Sequence, residues 1–240
     1  MRIQKHALTM KPILISRSRA VALTGCALAA LLATGAAQAQ TAGTLMLRVG
    51  ATQIKPNVTS DDLTAPSLPG TQADIRSSTR LGAGATYMLT DNIAVDVPLA
   101  LPFKHEIDGA GAISGVGKIG EVKSLPFTVL GQYRFLDPKS AFRPYLGAGL
   151  TYAKFYKAKS TAALSALTGG TPSMPTTLQI DSKLAATVQL GASYAFDAHW
   201  FVDATVLRTF LKTRTTLSTG QTLDTKLDPN SFALAVGYAF

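Results

Sequence analysis

The residues of this chain that could do chemistry are few and scattered. Two histidines lie beyond the N-terminal region, His105 next to Glu106 and His199 next to Trp200. Serine, histidine and acid are all available for nucleophilic hydrolysis, which needs a nucleophile with a base in reach. No Gly-x-Ser-x-Gly elbow and no His-Glu-x-x-His helix motif occurs, so neither hydrolase pattern is present. Both histidines read as surface or interfacial side chains. Metal ligation has no cysteine pair or histidine cluster to work with, and no cofactor is expected. The remaining candidates are charges set inside alternating apolar segments: Arg48, Arg80, Asp96, Arg134, Lys183 and Asp203, with Arg143 near a segment end. Charges of both signs enclosed together would pair, because an isolated buried charge is costly. They read as an interior polar plug. Met46, Met88, Leu130, Phe155, Phe201, Leu207 and Leu211 fall on the same inward parity or near a mouth, and read as the wall of a hydrophobic conduit. Ordinary interior packing, or a one-residue register slip that turns them outward, is the competing reading.

What must position these residues is a chain with the rhythm of β-strands. Phe232, Leu234, Val236, Tyr238 and Phe240 alternate with Ser231, Ala233, Ala235, Gly237 and Ala239. The same period of two recurs near residues 43–56, 77–90, 92–107, 122–136, 142–158, 178–196, 199–215 and 225–240. Short turns at 90–92, 137–140 and 197–199 alternate with long stretches at 57–76, 108–121, 159–177 and 216–224. Short connections on one side and long ones on the other are the pattern of an outer-membrane barrel. One face of each segment is long aliphatics that end in aromatics such as Phe103, Tyr133, Phe135, Tyr152, Tyr194, Trp200 and Phe240, which reads as a lipid-facing band with interfacial girdles. The other face is rich in Gly, Ala, Ser and Thr, small enough for a narrow interior. In lipid only a closed barrel satisfies the backbone. The reading is therefore an all-β, eight-stranded antiparallel transmembrane barrel. A soluble secreted barrel with inverted faces is the alternative that periodicity leaves open.

Composition agrees. Of 240 residues 47% are hydrophobic and 15% charged, with one cysteine and a formal charge of +9. Residues 1–19 carry five basic residues and no acid; an apolar run over 20–33 and Ala37-Gln38-Ala39 follow. That order is a secretory signal peptide, too short to span a bilayer. Residues 1–39 are expected to be removed, leaving the barrel at 40–240. A lipoprotein reading of Leu23-Thr24-Gly25-Cys26 is weaker, because only six residues separate Arg19 from Cys26. Cleavage takes five positive charges from the +9, leaving +4, and removes Cys26. The charge that first invites a nucleic-acid partner therefore belongs to the leader, and no basic stripe interleaved with aromatics replaces it.

The chain also resembles the outer membrane protein W family over nearly its whole mature length. The stretches that carry the resemblance are 87–95, Pro102-Phe103-Lys104-His105-Glu106-Ile107, Leu125-Pro126, and Gln132-Tyr133-Arg134-Phe135. Arg143-Pro144-Tyr145-Leu146-Gly147-Ala148-Gly149-Leu150-Thr151-Tyr152 and the ending Val236-Gly237-Tyr238-Ala239-Phe240 complete it. The ending has the terminal aromatic that barrel-assembly machinery reads. Many members carry an acid where this chain has Val97 or Pro98, and Asp96 fills that role one position earlier. The resemblance implies an eight-stranded barrel of the bacterial outer membrane, associated with passage of small hydrophobic molecules through a narrow apolar channel that opens sideways toward lipid. Alkane-uptake proteins share the family. Lys154, Lys157 and Lys159 would then face lipopolysaccharide phosphates, or form a solvated rim. The loop at 165–176, with Gly169-Gly170, Pro172 and Pro175, reads as mobile. The runner-up function is a non-transporting structural or receptor barrel whose loops bind lipopolysaccharide, phage, bacteriocin or host surfaces. A lipid-modifying barrel enzyme is the third.

Overall fold

The computed structural model describes residues 40–240. The predicted leader at 1–39 and Cys26 lie outside the described residues. In chain order the strands are β1 (Leu45–Lys55), β2 (Thr59–Ser60), β3 (Thr71–Ile75), β4 (Ser78–Met88), β5 (Ile93–Ala100), β6 (Phe103–Gly111) and β7 (Lys118–Arg134). Then come β8 (Phe142–Ser160), helix α1 (Ala162–Leu167), β9 (Leu178–Ile180), β10 (Lys183–Ala195), β11 (Trp200–Phe210), β12 (Lys212–Leu217), β13 (Thr222–Lys226) and β14 (Asn230–Ala239).

Antiparallel pairing runs β7-β5-β4-β1-β14-β11-β10-β8 and closes through β7 with β8, which makes an eight-stranded barrel. Closure is what removes every sheet edge from lipid. The first and last strands lie side by side, Val49 opposite Val236 and Leu47 opposite Tyr238. Val49, Leu81, Leu150, Leu190 and Leu234 are each more than half exposed on the outer surface. Inside, the buried residues include Arg48, Asp96, Arg134 and Asp203. A soluble barrel would have these faces the other way round, so the alternative left open by periodicity is removed.

The eight alternating segments correspond to the barrel strands, but four of them run through a break. Segment 92–107 divides at Leu101-Pro102 into β5 and β6, and segment 178–196 divides at Asp181-Ser182 into β9 and β10. Segment 199–215 divides at Leu211 into β11 and β12, and 225–240 at 227–229 into β13 and β14. Pro102 and Pro229 lack the N–H that would continue a ladder. Leu211 and Leu227 turn inward at their breaks and pack with Ala153 and Ala185. Asp228 fastens this corner, its Oδ1 accepting from the Leu211 amide at 3.0 Å. The break at Pro102 also resets the alternation. Phe103, placed by parity in the lipid-facing girdle, is fully buried instead.

Beyond the breaks the long connections are folded rather than irregular. β2, β13, β12 and β9 form a four-stranded sheet of their own, and β3 extends β6. Within 159–177 lies α1, capped by Thr161, whose Oγ1 accepts from the Leu164 amide. Leu164 is buried with Leu63, Ile107, Ile113, Val122, Leu217 and Leu223 in one apolar cluster. These segments hold an apolar roof over the outer end of the barrel.

Candidate functional site: a plugged barrel with an apolar upper cavity

The inward charges meet at mid-barrel. Arg48 Nη2 stands 2.9 Å from Asp96 Oδ1, and its Nη1 donates to Thr86 Oγ1 at 2.7 Å. Thr86 in turn donates to Asp96 Oδ1 at 2.7 Å. Asp96 Oδ2 also accepts from Gln189 Nε2 at 3.1 Å, and Gln189 Oε1 accepts from Gln132 Nε2 at 2.7 Å. Arg134 continues the chain, donating to Gln132 Oε1 at 3.1 Å, to Gln40 Oε1 at 3.1 Å and to Ser193 Oγ at 2.5 Å. Its guanidinium lies 4.6 Å from the centre of the Tyr145 ring. Tyr145 donates its hydroxyl proton to Asp203, 3.0 Å from both carboxylate oxygens, and Asp203 Oδ1 is 3.7 Å from Arg48 Nε.

Every barrel strand but β14 contributes to this network, and β14 contributes by staying small. Two glycines make room elsewhere. A Cβ at Gly84 would come within 2.7 Å of the Arg48 guanidinium, and one at Gly191 within 2.4 Å of the Tyr145 ring. Two guanidinium and two carboxylate groups balance each other, and among the described residues no buried side-chain nitrogen or oxygen is left without a hydrogen-bond partner. Below, Arg143 donates to the carbonyls of Gln40 at 3.0 Å and Asp91 at 2.7 Å, closing the short-turn end.

Arg48, Asp96, Arg134 and Asp203 are thus brought together. Lys183 and Arg80 are not. Lys183 is half exposed at the outer end of β10 with Asp181 Oδ2 3.3 Å away, and Arg80 is exposed, its Nε donating to the Pro102 carbonyl at 3.2 Å. Both have inward parity, but they lie above the level at which the barrel encloses its interior. Gln40, Thr86, Gln132, Tyr145, Gln189 and Ser193 were not singled out from the sequence. All except Gln40 sit on strands at the same inward parity as the charges, and that parity was the signal available.

Above the plug, four threonine hydroxyls form a chain across neighbouring strands. Thr128 and Thr151 are 2.8 Å apart, Thr151 and Thr187 2.6 Å, and Thr187 and Thr209 3.0 Å. Over this floor is a cavity of about 170 Å³ walled by Ile75, Phe103, Val122, Phe155, Leu207 and Leu211. Phe155, Leu207 and Leu211, three of the expected conduit residues, line it. Met46 and Phe201 instead pack with Ala195 and Ala239 in a separate cluster, and Met88 and Leu130 are buried away from the cavity. His105, expected at the surface, is buried in the cavity wall because the break at Pro102 turns it inward. Its Nδ1 is 2.9 Å from the Arg76 carbonyl. Burial holds its pKa below the ordinary histidine range. His199 is at the opposite end of the barrel, stacked on Tyr238 with ring centres 5.1 Å apart.

One side of the cavity wall is incomplete as a sheet. Pairing of β5 with β7 ends at Asp96 opposite Leu130, and pairing with β7 resumes only at Phe103 opposite Ser124. Pro98, Pro102 and Pro126 fall in this interval and can donate no ladder hydrogen bond. Pro98, Leu99, Ala100, Pro126 and Thr128 line the cavity there, while Leu99 is also 49% exposed on the outer surface. The cavity therefore reaches a seam in the lipid-facing wall.

Residues 41–240 match the model of the OmpW family. The chain belongs to the OmpW family. It is 34% identical to outer membrane protein W of Vibrio cholerae serotype O1, over 90% of this chain and 99% of that protein. Against outer membrane protein W of Escherichia coli K12 the identity is 32%, over 91% and 99%. Among solved structures it is similar to the outer membrane protein OprG of Pseudomonas aeruginosa, with a TM-score of 0.76 and 27% identity, covering 85% of this chain and 99% of that one. As an OmpW-family barrel it resides in the bacterial outer membrane, its lipid-facing leucines in the bilayer and its short turns on the periplasmic side.

Proposed function

We propose that this OmpW-family barrel is a passive, non-enzymatic channel for small hydrophobic molecules, which enter the upper cavity and leave sideways through the seam between β5 and β7. The observation that carries this reading is that one apolar cavity touches both the seam and the polar plug. A solute in the cavity meets Arg48 and the threonine chain below it, where an apolar molecule gains nothing. At the seam it meets Leu99, Pro126 and then lipid. An apolar cavity of about 150 Å³ is large enough for benzene, so a cavity of about 170 Å³ suits one small ring or a short chain. A relative in Pseudomonas aeruginosa, 24% identical over 74% of this chain, is named dibenzothiophene metabolism operon protein PahQ, and its name concerns an apolar aromatic compound. We also propose that residues 1–39 are the cleaved leader that exports the barrel.

Liposomes carrying the purified barrel test the function. Uptake of an apolar probe is expected to rise over protein-free vesicles, with no rise for a sugar of similar size. Equal rates with and without protein for the apolar probe would overturn the channel reading in favour of a structural or receptor barrel.

A further inference from the structure

A second site lies outside the barrel, where the lipid-facing surface ends and the extracellular sheet begins. A shallow groove there is lined by Lys183, Leu184, Phe210, Lys212, Lys226 and Asp228. Leu184 is 64% exposed and Phe210 52%, each within two residues of one of these lysines, so the groove is apolar on its membrane side and cationic above. Lys212 and Lys226 are direct cross-strand partners and both point outward. Like charges in that relation repel, and an anion between them would convert the repulsion into attraction. Nearby acids neutralise the group only in part. Lys183 has Asp181 at 3.3 Å, and Asp228 is shared between Lys226 at 3.2 Å and Arg208 at 3.7 Å. Among the described residues Lys212 has no acid partner.

We propose that this groove binds the phosphate of a phosphorylated lipid in the outer leaflet, with the acyl chain against Leu184 and Phe210. Three lysines converge at headgroup height on an oxygen-rich anion, and the two apolar side chains lie where the chain of such a lipid runs. The site is separate from the upper cavity and stands whether or not the barrel transports a solute.

Native mass spectrometry of the detergent-solubilised barrel tests the proposal with diphosphorylated lipid A, the same lipid stripped of phosphate, and inorganic phosphate. The barrel is expected to retain the phosphorylated lipid and to lose it by about 100-fold in the triple variant Lys183→Gln, Lys212→Gln, Lys226→Gln. The control variant Lys123→Gln, at an exposed lysine of β7 outside the groove, should retain it. Equal retention of the dephosphorylated lipid by the unaltered barrel would overturn the proposal even if the triple variant failed to fold. So would inorganic phosphate binding as tightly as the lipid, or a folded triple variant that binds undiminished.

Discussion

Arg48 and Asp96, on strands separated by β4, meet 2.9 Å apart at the centre of the barrel, with side chains only 7% and 0% exposed. Each has a second tie to the wall, through Thr86 and Gln189. The pair divides an apolar upper chamber from the packed lower barrel. Replacing Asp96 with Ala leaves a buried guanidinium short of a partner and is expected to cost about 3–5 kcal/mol. Urea titration of the barrel folded in lipid vesicles measures this. The double variant Arg48→Met, Asp96→Leu should recover much of the loss, because neither charge is then left alone.

The glycines opposite the large interior side chains should resist substitution. In Gly191→Ala the new methyl would sit 2.4 Å from the Tyr145 ring unless the ring moved off Asp203. Overpacking of this kind costs about 1–3 kcal/mol. The expected readout is a lower midpoint of heat modification on a gel, and a variant as stable as the parent would contradict the packing described above.

The seam offers a direct handle on lateral passage. With Cys26 the single cysteine of the full sequence, cysteines placed at Pro98 and Thr128 in the mature barrel can be bridged by a short bifunctional thiol reagent. Bridging is expected to reduce apolar uptake by about tenfold or more, equivalent to about 1.4 kcal/mol. A reagent that modifies one thiol alone should have little effect. Uptake unchanged by the bridge would mean that solute leaves by another route.

At the outer rim, Lys104 and Lys118 hold the Glu121 carboxyl at a pKa of about 2, with Lys104 Nζ 2.8 Å away and Lys118 Nζ 3.0 Å away. The same Lys118 lowers the Glu106 pKa. Because the folded value lies below the ordinary carboxylate value of 4.5, the stabilisation from Glu121 is complete above 4.5 and is lost as the pH falls toward 2. Carbon NMR of the labelled carboxyl should titrate near 2, and in Lys104→Gln the midpoint should move upward. A midpoint near 4.5 in the parent would exclude the ion-pair cluster.

Gln40 is buried at the periplasmic end, its carbonyl accepting from Arg143 and its side chain from Arg134. Removal of residues 1–39 would make it the first residue. Mass spectrometry of protein isolated from outer membranes should find a chain beginning at Gln40, and a mature chain that starts later would leave Arg134 and Arg143 without these partners.

Much of this protein can be read along the chain, for a simple reason. Lipid on one side and a narrow interior on the other force strict alternation, and alternation is a local property. Leu47, Val49, Leu234 and Val236 declared their face by type and spacing, as did Arg48, Asp96, Arg134 and Asp203. The order of short and long connections likewise set strand number and orientation. Tertiary structure decided whatever depends on where the alternation stops. The break at Pro102 cannot be located by parity, because parity assumes a continuous strand; it turned Phe103 and His105 inward and opened the seam beside Pro98 and Pro126. Height along the barrel axis is equally invisible to a period of two. Lys183 and Arg80 share the parity of the plug but stand above it, while Met46 and Phe201 share the parity of the cavity but lie below. Residue types were enough to distinguish lipid from interior; only closure of the sheet and the kinks at its outer end decided which interior residues meet one another.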